Sequence, residues 1–131
     1  MIEEGLRAHL IADAGVAGYV GERVYHEILP QNPTLPAIVF SHVSDSRNGM
    51  LESPDPLITQ RFSVDCYSTK SDSAKGLANA VRLSLNGLTG NLGGEPVDNV
   101  FLESSQDLSA FEGDKATRRV LLDFRIMSTE V

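Results

Sequence analysis

Cys66 with one of His9, His26 or His42 is the combination in this chain that could supply a nucleophile and a base. A thiol attacks as its thiolate, so the pairing needs something that lowers the cysteine pKa, and nothing in the sequence around Cys66 does so. Cys66 falls instead in the apolar phase of an alternating run, where a free cysteine packs as a small hydrophobe. A dyad would also require an orienting group and an anion-stabilising site, and neither can be located. Positions 9, 26 and 42 lack the i, i+4 or short paired spacing of metal ligands, so neither a metal nor another cofactor is expected. Gly87, Gly90, Gly93 and Gly94 resemble a phosphate loop only in composition. Such loops run from a strand into a helix, whereas these follow a helix and precede a strand.

The charged residues suggest contact rather than catalysis. Arg61 and Asp65 share one face of a strand, and Arg119, Asp123 and Arg125 share one face of another, the pattern of cross-strand pairs on a solvated sheet. The rival reading is a polar interface with another subunit, interleaved with Leu121 and Met127. Leu83 sits opposite the apolar stripe of its helix, and Met50 and Leu51 have no evident core to enter. The candidate subunit or partner contacts are therefore Arg47, Met50, Leu51, Leu83, Arg119, Leu121 and Arg125.

The elements that would position them follow from hydrophobic periodicity. Ile58, Phe62, Val64 and Cys66 alternate with Thr59, Arg61, Ser63 and Asp65, which predicts a strand with one wet face. After turn-forming residues 68–72, Ala74, Leu77, Ala78, Val81, Leu85 and Leu88 recur at helical spacing. Ser71 or Ser73 is the expected cap of this helix, and Asn86, Gly87 and Gly90 its stop. Gly76 inside it costs roughly 1 kcal/mol relative to alanine; it is either a tolerated blemish or a point of close approach to the sheet.

An earlier stripe of Ile2, Leu6, Leu10, Ala14 and Ala17 predicts a helix from Ile2 to Ala14 ended by Gly15. Strands are expected over Arg23–Leu29, Ala37–Ser44, Val97–Ser104 and Thr117–Met127, the last with Val120, Leu122, Phe124 and Ile126 on one face. Residues 45–57 read as a long hairpin connection with its tip near Asn48-Gly49, mobile in the free chain because few apolar groups offset its ordering cost. Residues 86–96 read as a flexible glycine-rich connection and 105–116 as a polar loop. The order α-β-β-β-α-β-β, with short connections, implies an α+β domain spanning residues 1–131. It would have two layers, with about four or five antiparallel or mixed strands and two helices on one face.

At 131 residues, 41% hydrophobic and 22% charged, the chain can bury a core without staples. One cysteine excludes an internal disulfide and suits a reducing compartment. No basic leader and no long apolar run appear, so a cytoplasm-like compartment and no membrane partner are expected. A formal charge of −7 argues against a dedicated nucleic-acid binder.

Two runs, LRAHLIADAGVAGYVGERVYHEILPQNPTLPAIVF (residues 6–40) and RFSVDCYSTKSDSAKGLANAVRLSL (61–85), resemble the tail-completion proteins of long-tailed bacteriophages and prophages. The matching features are the leading helix, Gly-x-Arg-Val-Tyr at Gly21–Tyr25, Pro30 before Leu35-Pro36, Ala80-Val81-Arg82, and Arg-Arg-Val-Leu-Leu-Asp-Phe at 118–124. Cys66-Tyr67 departs from the aromatic residue expected near that strand end. The resemblance implies a non-enzymatic virion subunit, located in the tail or neck and assembled in the host cytoplasm. It would form a ring, typically hexameric, at the head-proximal end of the tail, contacting its own copies, the tail tube protein and the head connector. An acidic bore in such a ring would repel DNA and let it slide, and residues 45–57 would order on assembly. The alternatives are an oligomeric binding or assembly module outside phages and, last, a small hydrolase.

Overall fold

Asp13 decides how the chain begins. In the computed structural model, which describes residues 2–30, 34–47, 57–108, 110–112 and 115–129, Asp13 is extended and its side chain accepts the Val16 N–H at 3.1 Å. It therefore ends one helix, α1 (Ile2–Ala12), and caps a second, α2 (Ala14–Val20). The single helix expected from Ile2 to Ala14 is thus corrected, and Gly15 lies in the first turn of α2 instead of ending a helix. The break resets the helical phase: Ile2, Leu6 and Leu10 are buried as expected, but Val16 and Val20 enter the core in place of Ala14 and Ala17.

The remaining elements are β1 (Val24–His26), β2 (Ala37–Arg47), β3 (Leu57–Ser68), α3 (Ser71–Leu85), β4 (Gly90–Leu92), β5 (Glu95–Val97), β6 (Asn99–Asp107), β7 (Ala110–Glu112) and β8 (Lys115–Thr129). The main sheet runs β1-β2-β3-β8-β6, with β7 also pairing with β8, while β4 and β5 form a separate hairpin. Among the described residues only β1 pairs in parallel and the other ladders are antiparallel, so the sheet is mixed and the fold α+β, as expected, with three helices where two were expected.

The motif residues at the start of the chain are ties between elements. Gly21 closes α2 at φ 59°, donating its N–H to Ala17. Arg23 then donates from Nε to the Pro36 carbonyl at 2.9 Å, and Arg7 donates to the Val24 carbonyl at 2.9 Å, so two guanidiniums hold β1 between α1 and the entry to β2. β1 is shorter than the run Arg23–Leu29. Glu27 takes a positive φ of 69°, its N–H bonds to the Phe40 carbonyl and the Ile28 N–H returns to His26, which turns the chain off the sheet edge.

Phe62, Val64 and Cys66 of β3 and Val120, Leu122, Phe124 and Ile126 of β8 share the inner face, beneath Ala74, Leu77, Ala78, Val81 and Leu85 of α3. Both stripes are as expected. The cap of α3 is not: Lys70 occupies that position without a side-chain bond, and its N–H goes to Ser68 Oγ at 3.3 Å. At the other end Asn86 Oδ1 accepts the Leu102 N–H, and the Gly87 N–H donates to the Val100 carbonyl at 2.7 Å, so the helix stop also fastens β6. Gly76 makes room for a helix rather than for the sheet, since a Cβ there would collide with the Tyr19 ring and hydroxyl of α2.

Three expected loops contain ordered strands. Asp45–Arg47 extend the β2–β3 ladder and Leu57 the β3–β8 ladder, while the hairpin tip, with Met50 and Leu51, lies outside the described residues. Residues 86–96 form the β4–β5 hairpin, turned at Gly93 and Gly94 (φ 59° and 83°), with Leu92 and Val97 in the core. Residues 105–116 hold the end of β6, all of β7 and the start of β8. Polar sequence conceals these strands because backbone pairing, not side-chain burial, defines them.

α1 rests directly on the β4–β5 turn: a Cβ at Gly5 would overlap the backbone of Leu92 and Gly93. Gly18 of α2 meets nothing within 4 Å. Gly5→Ala should therefore destabilise the protein by about 2–3 kcal/mol, whereas Gly18→Ala should stabilise it by up to about 1 kcal/mol. Urea unfolding of the two variants checks both signs.

Candidate assembly surface

The helices cover one face of the sheet, and the opposite face carries no such cover among the described residues. Alternation along β3 and β8 sends Arg61, Ser63, Asp65 and Tyr67, with Arg119, Leu121, Asp123, Arg125 and Met127, to this outer side. Two ion-pair groups organise it. Asp65, only 8% exposed, accepts two bonds from Arg119, from Nε at 3.0 Å and from the terminal nitrogen at 3.2 Å. The guanidinium also lies 5.7 Å from the centre of the Tyr67 ring. The hydrogen bond to Asp65 holds the Arg119 pKa above its ordinary value.

The second group resolves a conflict. Arg61 and Arg125 are direct register partners, and like charges placed opposite one another repel. A bulge between Leu102 and Ser104 of β6 frees Glu103 from the ladder, and its carboxylate meets both: Arg61 Nε at 3.4 Å and the Arg125 guanidinium. Ser104 Oγ donates to Asp123 at 2.9 Å. Among the described residues the face is thus balanced, three arginines against three carboxylates, in a chain of formal charge −7.

The structure brings together three of the candidate contacts, Arg119, Leu121 and Arg125. Leu83 is 67% exposed but on α3, on the other side of the molecule. Arg47 pairs with Ile58 at the far end of β2, with its side chain outside the described residues, as are Met50 and Leu51 altogether. The sequence reading did not single out Glu103, or the exposed Ile28, Val43 and Phe101. Glu103 carried no signal, because a bulge shifts the alternation by which a face is recognised.

The catalytic reading fails on burial. Cys66 has 0% exposure, and burial, with the neighbouring Asp65 charge second, pushes its thiol far above the ordinary range. His9 bonds the Ser84 carbonyl at 3.1 Å, His26 stacks on Phe40 and His42 on Phe62. Among the described residues no three His, Cys, Asp or Glu side chains are grouped to hold a metal, and no helix is long and apolar enough to cross a membrane.

Such a molecule, with one face of its sheet packed, the other paired and polar, and its thiol sealed, has the construction of an assembly subunit. The sequence profile described as "Tail completion protein gp17" matches residues 4–129, and the chain belongs to that family. It is a structural protein of the phage virion, of its tail or neck, and not an enzyme. Its fold is similar to that of a chain in the "Virion of native gene transfer agent (GTA) particle", at TM-score 0.72 and 20% identity, covering 95% of this chain and 92% of that one. A second solved chain matches at TM-score 0.53 and 16% identity, covering 95% and 94%. No curated protein sequence matches.

Arg119→Ala strands a nearly buried carboxylate, and because the guanidinium is itself partly in solvent the cost should be about 1–2 kcal/mol, read by urea denaturation. Cys66 should react with a thiol reagent at pH 8 far more slowly in the folded protein than in denaturant. Its raised folded-state pKa means the unfolded chain loses the proton first, so this group's contribution to stability should fall as pH rises past the ordinary thiol range.

Proposed function

We propose that this chain is one subunit of a homo-oligomeric ring, six copies in the closed form, at the head-proximal end of the tail. There it finishes the tail and joins it to the head connector. The match to the tail-completion family over residues 4–129 carries the reading. The fold neighbour in an assembled gene transfer agent particle supports it, since the same construction there serves inside a virion. A closed ring requires a heterologous contact, in which one surface of a copy meets a different surface of the next.

The balanced outer sheet face suits a contact between acidic copies, because charge paired within each subunit spares the interface the repulsion that a −7 chain would otherwise meet. Arg119, Leu121 and Arg125 belong to that contact, and Leu83, Arg47, Met50 and Leu51 to contacts with neighbouring copies or with the tube and connector proteins. The remaining acidic surface lines a bore through which DNA slides without being held.

Deleting the gene should leave DNA-filled heads and finished-length tails as separate particles in lysates viewed by electron microscopy. Adding the purified protein should join them. Normal joined particles from the deletion strain would refute the assignment.

A further inference from the structure

A shallow groove of about 220 Å³ runs between α3 and the strands β6 and β8. Ala78, Leu102, Val120 and Leu122 make its apolar wall, and Lys75, Asn79, Arg82 and Ser105 its rim. It is smaller than the several hundred Å³ of a usual small-molecule site, and it suits one aliphatic side chain inserted as an anchor. Among the described residues the lining holds two cations and no carboxylate, in a chain of formal charge −7. The occupant that this chemistry selects is an apolar side chain followed by acidic ones.

Residues 50–55, Met-Leu-Glu-Ser-Pro-Asp, have that order. They cannot fill the groove of their own chain. Arg47 pairs with Ile58 and Ile58 with Ser128, so the stem of this segment stands at the opposite end of β8 from Leu122. From Ser128 to Leu122 is about 20 Å of strand, and Arg47 lies two strands further across at about 5 Å each. Leu51 can stand no more than about 14 Å from Arg47.

We infer that the groove between α3 and β6 receives residues 50–55 of a second copy of this chain, with Met50 or Leu51 seated on Leu102, Val120 and Leu122 and with Glu52 and Asp55 against Lys75 and Arg82. The inference rests on the ring reading and deepens it: segment on one copy, groove on the next, is a heterologous contact that propagates around a closed assembly. It also gives the exposed Lys75 and the half-buried Arg82 of α3 a role that the paired arginines of the sheet face cannot supply.

Cross-linking in assembled particles tests it. Full-length chain carrying Ser53→Cys with Ser105→Cys is incorporated into tails and treated with a short bis-maleimide, which the sealed Cys66 escapes. A ladder of linked copies on a denaturing gel, absent from either single variant, is the expected result. Adding Lys75→Glu with Arg82→Glu should cut the linked fraction about tenfold, and further Glu52→Lys with Asp55→Lys should restore it to within about twofold. Joined particles whose double-cysteine chain stays unlinked, or links only within one chain, overturn the groove assignment, as does linking insensitive to the charge reversals. The ring reading fails separately, through joined particles formed without the gene.

Discussion

The pairing of β8 with β3 along one side and with β6 and β7 along the other is the constraint on which the rest of the molecule depends. A central strand bonded on both sides fixes which residues share a face, since a slip of one position would exchange the two faces completely. With this register, Val120, Leu122, Phe124 and Ile126 meet Phe62, Val64 and Cys66 under α3, and Arg61, Asp65, Arg119, Asp123 and Arg125 fall on the other side. Burial of the inner face and polarity of the outer one are therefore a single decision.

The consequences reach the surface chemistry. Once Arg61 stands beside Arg125, some acid must come between them, and the β6 bulge presents Glu103 there. Asp65, nearly buried on the sheet, needs the forked donor that Arg119 supplies from two positions before its register partner Leu121. These pairs leave the described side chains of this face without net charge, in a chain of formal charge −7. The same economy explains the helical side: α1 approaches the β4–β5 turn through Gly5, and Gly76 of α3 leaves the room that the Tyr19 ring of α2 occupies.

Much of this was legible beforehand. The alternation of β3 and β8 and the stripe of α3 are long, regular patterns, and they gave the right faces. The apolar phase of Cys66 foretold its burial and with it the absence of thiol chemistry. The readings that failed share a cause. Asp13 lies inside the helix that the apolar stripe predicts from Ile2 to Ala14, although its side chain bonds locally and breaks that helix. Residues 90–96 and Ala110–Glu112 fall in stretches that read as loops because short, glycine-rich or polar strands carry no periodic signal. Arg119, Leu121 and Arg125 were recognised as surface candidates, but Glu103 was not, because a bulge is a property of two strands and not of one.

The sequence by itself determined which residues turn inward along each long element and, through motifs at Gly21–Tyr25 and 118–124, the family to which the chain belongs. Only the tertiary structure decided partners: Asp65 with Arg119 across 54 positions, Arg23 with the Pro36 carbonyl, Gly5 with the Gly93 backbone. The physical reason is that periodicity reports the direction a side chain faces relative to its own backbone. What it meets there depends on register and layer packing, which involve contributions from the whole chain at once.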